Sequence, residues 1–149
     1  MKQTTLTWLE MYTAANVGAA RRLSSINNSG IENRRFSEAG DWEVDIIGAI
    51  AEKMFAKIRG LYWDEGVNTF KLPDVGTWQV RGTSWRDGHL IVRQRDKADK
   101  IALITIEKMT GTQVGWIEIE EAKKEGNGFW RDDKQSWWVP QKNLTLFED

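Results

Sequence analysis

The chain has 149 residues, no cysteine, one histidine and a formal net charge of −1. The missing cysteines exclude disulfides, thiol nucleophiles and Cys-type zinc sites together. His89 alone cannot build a His-rich metal site, so any metal has to be held by oxygen ligands, which favours magnesium, manganese or calcium. With no apolar run of membrane-spanning length and no apolar signal core behind Met1-Lys2-Gln3-Thr4-Thr5, a cytoplasmic protein without a membrane partner is expected.

The elements follow in order. Trp8, Met11, Ala15, Ala19 and Leu23 recur at helical spacing and predict a first helix over 5–23. Residues 24–40 are rich in Ser, Asn, Gly and Arg and read as loop. The clearest element is a helix over 41–59, with Ile46, Ile47, Ile50, Met54, Phe55 and Ile58 as its buried stripe. Acidic residues open that helix, basic ones close it, and Gly60 marks its end.

Strands are predicted over 67–72, 77–83, 89–95, 101–107 and 113–119, the fourth apolar enough to be central. Asp87-Gly88 predicts a hairpin turn into the third. A short helix over 120–125, an irregular Trp-rich segment over 129–140 and an edge strand over 144–147 complete the chain. Helices first and strands after predict one α+β domain over 1–149, with helix and loop in 1–40 and the core in 41–149. Its N-terminal helices are expected to pack on a mixed or antiparallel sheet. Most of the nine tryptophans are expected in the core, and some as platforms for bases.

Net charge near zero does not advertise a nucleic-acid binder, yet a local patch suffices for phosphate. The stretch 81–100 is that patch: Arg86, Arg93 and Arg95 are its candidate nucleic-acid contacts. Glu52 sits on the long helix at the border of its apolar stripe, Asp74 follows Pro73 at a strand end, and Gln79 and Arg81 share one face of the next strand. Carboxylates beside a cation suit metal-assisted phosphodiester cleavage: the metal needs oxygen ligands and activates water, and the cation stabilises charge on the phosphate. Glu52, Asp74, the Gln79 amide and the Val80 carbonyl are the expected ligands of Mg2+ or Mn2+. Arg81 is the expected charge-neutralising group, because arginine does not give up its proton to act as a base. Among the alternatives, His89 reads as a strand residue, and Ser84 near it lacks the strained nucleophile turn of a hydrolase.

Pro73-Asp74 followed by Gln79-Val80-Arg81, with Glu52 on the preceding helix, resembles the motif of the PD-(D/E)XK nuclease superfamily. More closely, Gly48 to Glu52, Asp74-Val75-Gly76, Leu90 to Arg93, Gly115-Trp116-Ile117 and Val139-Pro140-Gln141 resemble, in this order, a group of small phage and prophage proteins. The resemblance implies a PD-(D/E)XK nuclease-like core and a metal-dependent DNA phosphodiester hydrolase of phage or mobile-element type, working inside the host cell. A monomer of this size would nick; a homodimer, for which the Trp-rich segment 129–138 offers a surface, would cut both strands. Gln79 stands where an acidic residue is usual and Arg81 where lysine is usual. Those departures keep a second expectation open, a non-catalytic module on the same fold that binds nucleic acid or a host protein.

Overall fold

Thr7 starts the first helix, α1 (Trp8–Ser29). Its hydroxyl accepts the Glu10 N–H at 3.1 Å while the Glu10 carboxylate accepts the Thr7 N–H at 2.9 Å, a reciprocal capping box. The computed structural model describes residues 1–29, 39–67, 73–96 and 98–148. In it α1 continues through 24–29, where Ser and Asn predicted loop; tertiary contact with the second helix overrides that weak local preference. The expected loop over 30–38 lies outside the described residues. The predicted stripe holds only in its middle: Met11 and Ala15 pack against the core, but Trp8 is 71% exposed and Leu23 58%, while Ala14, Gly18 and Arg22 are buried. Arg22 enters that face because Asp45 receives its guanidinium at 2.6 Å.

The second helix, α2 (Ala39–Arg59), follows its predicted pattern. Ile50, Met54 and Phe55 are buried, with Ile46 and Ile58 packed beside them. Gly60 ends it with φ +66°, and the Leu61 N–H turns back to the Ala56 carbonyl at 2.9 Å. The strand expected over 67–72 lies almost wholly outside the described residues, and Val67 itself is in a bend.

The remaining elements are β1 (Gln3–Thr5), β2 (Trp78–Thr83), β3 (Leu90–Arg93), β4 (Lys100–Glu107), β5 (Thr110–Glu118), α3 (Ile119–Ala122), β6 (Phe129–Arg131) and β7 (Ser136–Val139). They form an α+β fold with two sheets, one in the order β1-β5-β4-β2 and one in the order β3-β7-β6. β4 lies inside the first sheet, parallel to β2 and antiparallel to β5. Its alternate residues feed two cores. Ala102 and Ile104 join the helices, and Ile101 and Leu103 join Leu90, Val92 and Val139 of the second sheet. A strand buried on both faces has no polar alternation, which accounts for the unbroken apolar run.

Three expectations change. Asp87-Gly88 does not join a hairpin: β2 and β3 belong to different sheets, because β3 pairs with β7 and β2 with β4. The segment 129–140 is not irregular but holds the β6–β7 hairpin. The edge strand over 144–147 shrinks to one bridge between Thr145 and Trp116. The tryptophans also lie nearer the surface than expected. Trp63 is buried, Trp78 and Trp116 are partly covered, and Trp8, Trp85 and Trp130 are exposed.

Candidate functional site

Among the described residues β2 is the last strand of its sheet, and α2 packs directly against it. A Cβ on Gly82 would stand 2.6 Å from the Ala51 Cβ, so only glycine lets the helix come this close. That approach brings Glu52, the next residue on α2, to the strand edge. Beside it opens a cleft of about 790 Å3, lined among others by Glu52, Asp74, Arg81, Arg86 and Arg93. The volume is that of a small-ligand site.

Asp74 reaches the edge through a tight turn. Val75 and Trp78 exchange both backbone hydrogen bonds, at 2.9 and 3.0 Å, which folds residues 74–77 back along β2. The Asp74 carboxylate then accepts the outward Val80 N–H at 2.8 Å. Within a strand a residue's carbonyl leaves on the same side as its N–H, so the Val80 carbonyl also faces away from β4. The Arg81 guanidinium stands near it, at a long 3.5 Å. Burial, and next the negative charge of Glu52, push the Asp74 carboxyl up to about 6, against the Val80 N–H and the cations Arg81 and Arg21.

Glu52 is 4% exposed and thoroughly satisfied. Arg21 clasps it with two hydrogen bonds of 2.8 and 2.7 Å, and the Trp63 indole N–H donates to Oε2 at 2.9 Å. Arg21 also donates to the Gly66 carbonyl at 2.8 Å, tying α1 to the segment after α2. Burial opposes the Arg21 charge, but the Glu52 hydrogen bonds and the field of Glu52, Asp74 and Asp45 hold its pKa above the usual arginine range.

Arg81 is held from the other side. Its Nη2 meets the buried Asp96 at 2.6 Å, and the second oxygen of Asp96 accepts the Arg93 N–H at 2.8 Å. Asp96 thereby links β2 of one sheet to β3 of the other. Arg81 Nε is buried and makes no hydrogen bond among the described residues. Arg93 is half-buried in the cleft wall. Among the described residues neither it nor Arg86 forms an ion pair. Burial, followed by the neighbouring cations Arg81 and Arg95, lowers the Arg93 pKa to about 10, so it stays a cation at neutral pH.

Of the residues singled out by sequence, Glu52, Asp74, Val80, Arg81, Arg86 and Arg93 line one cleft. Gln79 and Arg95 do not line it. Sequence reasoning missed the supports: Trp63, Asp96, and Arg21 as the partner of Glu52. Arg21 and Glu52 stand 31 residues apart, and nothing local couples them. For Asp96 a local signal existed, an Asp three residues after the end of an apolar strand, where Asx-type turns form.

Among the described residues no three His, Cys, Asp or Glu side chains converge on one point. The oxygen donors here are the Asp74 carboxylate, the Val80 carbonyl and, where Arg21 releases it, the Glu52 carboxylate. That set fits a hard divalent cation that keeps several of its waters. Burial first, and then the negative charge of Glu52, raise the Asp74 pKa, and a cation bound beside Asp74 would offset both. No family model, no curated protein and no solved structure matches the chain.

Proposed function

We propose that the chain is a magnesium- or manganese-dependent hydrolase of DNA phosphodiesters with a PD-(D/E)XK-type core. The observation that carries this reading is one cleft in which Asp74 and the Val80 carbonyl, on β2, share space with Glu52 and with Arg86 and Arg93, which form no ion pair among the described residues. Glu52, Asp74 and the Val80 carbonyl would hold the metal, which when bound lowers the pKa of a coordinated water and supplies the nucleophile. Arg86 and Arg93 receive the phosphate. Arg81, fixed by Asp96, adds positive charge where the transition state gains negative charge. Arg21 and Trp63 hold Glu52 in place. Asp74 has to be ionised to bind the metal, so metal affinity rises with pH through about 6.

One observation favours a second reading, a non-catalytic module that binds nucleic acid or a host protein. Both oxygens of Glu52 are already occupied by Arg21, a cation standing where the metal would need them. Titration of Mn2+ into the metal-free protein, by calorimetry, separates the two. The hydrolase requires saturable binding that Asp74→Ala removes, followed by cleavage of DNA. Binding of DNA that is unchanged in EDTA, with no saturable Mn2+ site, establishes the module instead. Steep loss of that binding with salt would mark phosphate contacts, whereas absence of DNA binding would leave the host protein as the module's partner.

A further inference from the structure

One aromatic side chain at the cleft stands mostly in water. Trp85 lines the cleft and is 78% exposed, at the start of the loop that leaves β2 for β3. An indole left in water costs free energy that burial elsewhere would recover, and this one stands on a loop that is firmly held. The Trp85 N–H donates to the Thr83 hydroxyl at 3.1 Å, and the Gly88 N–H closes a turn onto the Trp85 carbonyl at 3.0 Å. From behind, the Gln141 side-chain amide donates to the carbonyls of Arg86 and Gly88, at 2.8 and 3.0 Å. Gly88 lies so close to Thr83 that a Cβ there would come within 2.6 Å of the hydroxyl. The loop is therefore pinned at both ends while its indole projects at the cleft. A rigid aromatic surface of this kind accepts a flat partner at low entropic cost.

The surroundings define that partner. Arg86 follows Trp85 directly, and Arg93 stands in the same cleft, both without an ion pair among the described residues. A stacking surface beside guanidinium groups that form no ion pair is the combination that binds a nucleic-acid strand, base on the ring and phosphate on the guanidinium. The strand has to be unpaired where it meets Trp85. A duplex shows proteins its base edges in the grooves and its phosphates, but its base faces are covered by stacking.

We propose that the cleft takes single-stranded DNA, including the frayed or overhanging end of a duplex, with one unpaired base stacked on Trp85 and the adjoining phosphates on Arg86 and Arg93. This assignment rests on the DNA reading given above and adds the strandedness of the substrate.

The test is fluorescence anisotropy with a dye-labelled oligo(dT) and a blunt duplex of equal length, both in EDTA so that cleavage cannot intervene. The single strand should bind tighter than the duplex. Trp85→Ala should weaken single-strand binding about ten-fold or more, and Trp85→Phe should retain most of it, since phenylalanine keeps a stacking face. Both variants should melt with the wild-type protein, because the indole is in water. Equal affinity for the two DNAs, indifference to Trp85→Ala, or no DNA binding at all would each overturn the proposal. Its failure is distinguishable from failure of the hydrolase reading. Single-strand binding that depends on Trp85 but brings no Mn2+ site and no cleavage sinks only the hydrolase, whereas Mn2+-dependent cleavage of blunt duplex, indifferent to Trp85, sinks only the strandedness.

Discussion

The two walls of the cleft treat charge in opposite ways. On the helix side, Glu52 has a bidentate arginine and an indole N–H, and Arg22 nearby has Asp45. On the strand side Arg81 has Asp96, but Arg93 and Arg86 have no ion pair among the described residues, and the Val80 N–H with the nearby Arg81 and Arg21 only partly offsets the burial of Asp74. A satisfied buried charge holds a fold in one arrangement but has little left to offer a ligand. An unsatisfied one costs stability in the free protein, and a ligand that completes it recovers that cost. The helix wall is thus expected to matter most for folding and the strand wall most for binding, and substitutions can test that division.

The largest expected effect is on the helix wall. Glu52→Ala strands Arg21 and Trp63 without their acceptor, and breaking a buried pair from one side costs about 3–5 kcal/mol. Chemical denaturation should show that loss, and a cost below about 1 kcal/mol would erase the distinction between the walls. Asp74→Asn should act in the other direction. The displacement of Asp74 from 3.8 to about 6 means that the folded state favours the protonated form. Stability from this group is complete below about pH 4 and is lost as pH rises through about 6. Asparagine stays neutral and still offers an oxygen to the Val80 N–H. At pH 8 the variant should therefore be more stable than the wild type, by about 2 kcal/mol once partial exposure is allowed for. Between pH 4 and 7 its stability curve should lack the wild-type decline, while its Mn2+ binding is lost. A variant no more stable than wild type at pH 8 would mean that Asp74 carries no such penalty.

A smaller effect separates stability from binding at one residue. Arg93→Met replaces a half-buried cation that lacks an ion pair with an apolar chain of similar length. Stability should change by no more than about 1 kcal/mol, since the lost charge was poorly compensated. If Arg93 meets a phosphate, the slope of log affinity for DNA against log salt should fall by about one. A large loss of stability with an unchanged salt slope would move Arg93 from the binding wall to the structural one.

Much of this division was legible in the sequence, and the illegible part has physical causes. The pattern of α2, the stop at Gly60 and the double burial of β4 are local or periodic signals, and they survive folding intact. Glu52 and Arg81 could be placed because each is fixed to an element whose type was clear, and Asp74 because the Val75-Gly76 turn sets it just before β2. The partition into two sheets was not legible. Asp87-Gly88 carries a real turn preference, but whether the strands around a turn pair with each other depends on competition from β4 and β7, at 7 and 43 residues' remove from the end of β3, and no local rule settles that. The Arg21–Glu52 clasp was hidden for the same reason, since a salt bridge between two helices leaves no periodic trace in either.

The face of α1 provides the smallest effect and the sharpest contrast with periodicity. Trp8, Leu23 and the intervening apolar positions follow helical spacing, yet Trp8 is 71% exposed, with its ring beside Tyr12 at 6.4 Å between centroids. The face that packs on α2 is instead built from Ala14 and Gly18, small enough to bring the two backbones together, with Arg22 closing the contact through Asp45. Size, rather than hydrophobicity, decides which side of α1 turns inward, because close approach gains more contact along the whole helix than one buried indole would. Trp8→Ser should accordingly change the unfolding free energy by no more than about 0.5 kcal/mol. A loss of 2 kcal/mol or more, measured at a protein concentration low enough to dissociate any dimer, would show that the indole is covered and that the periodic stripe, not the small-residue face, is the one that holds α1 in place.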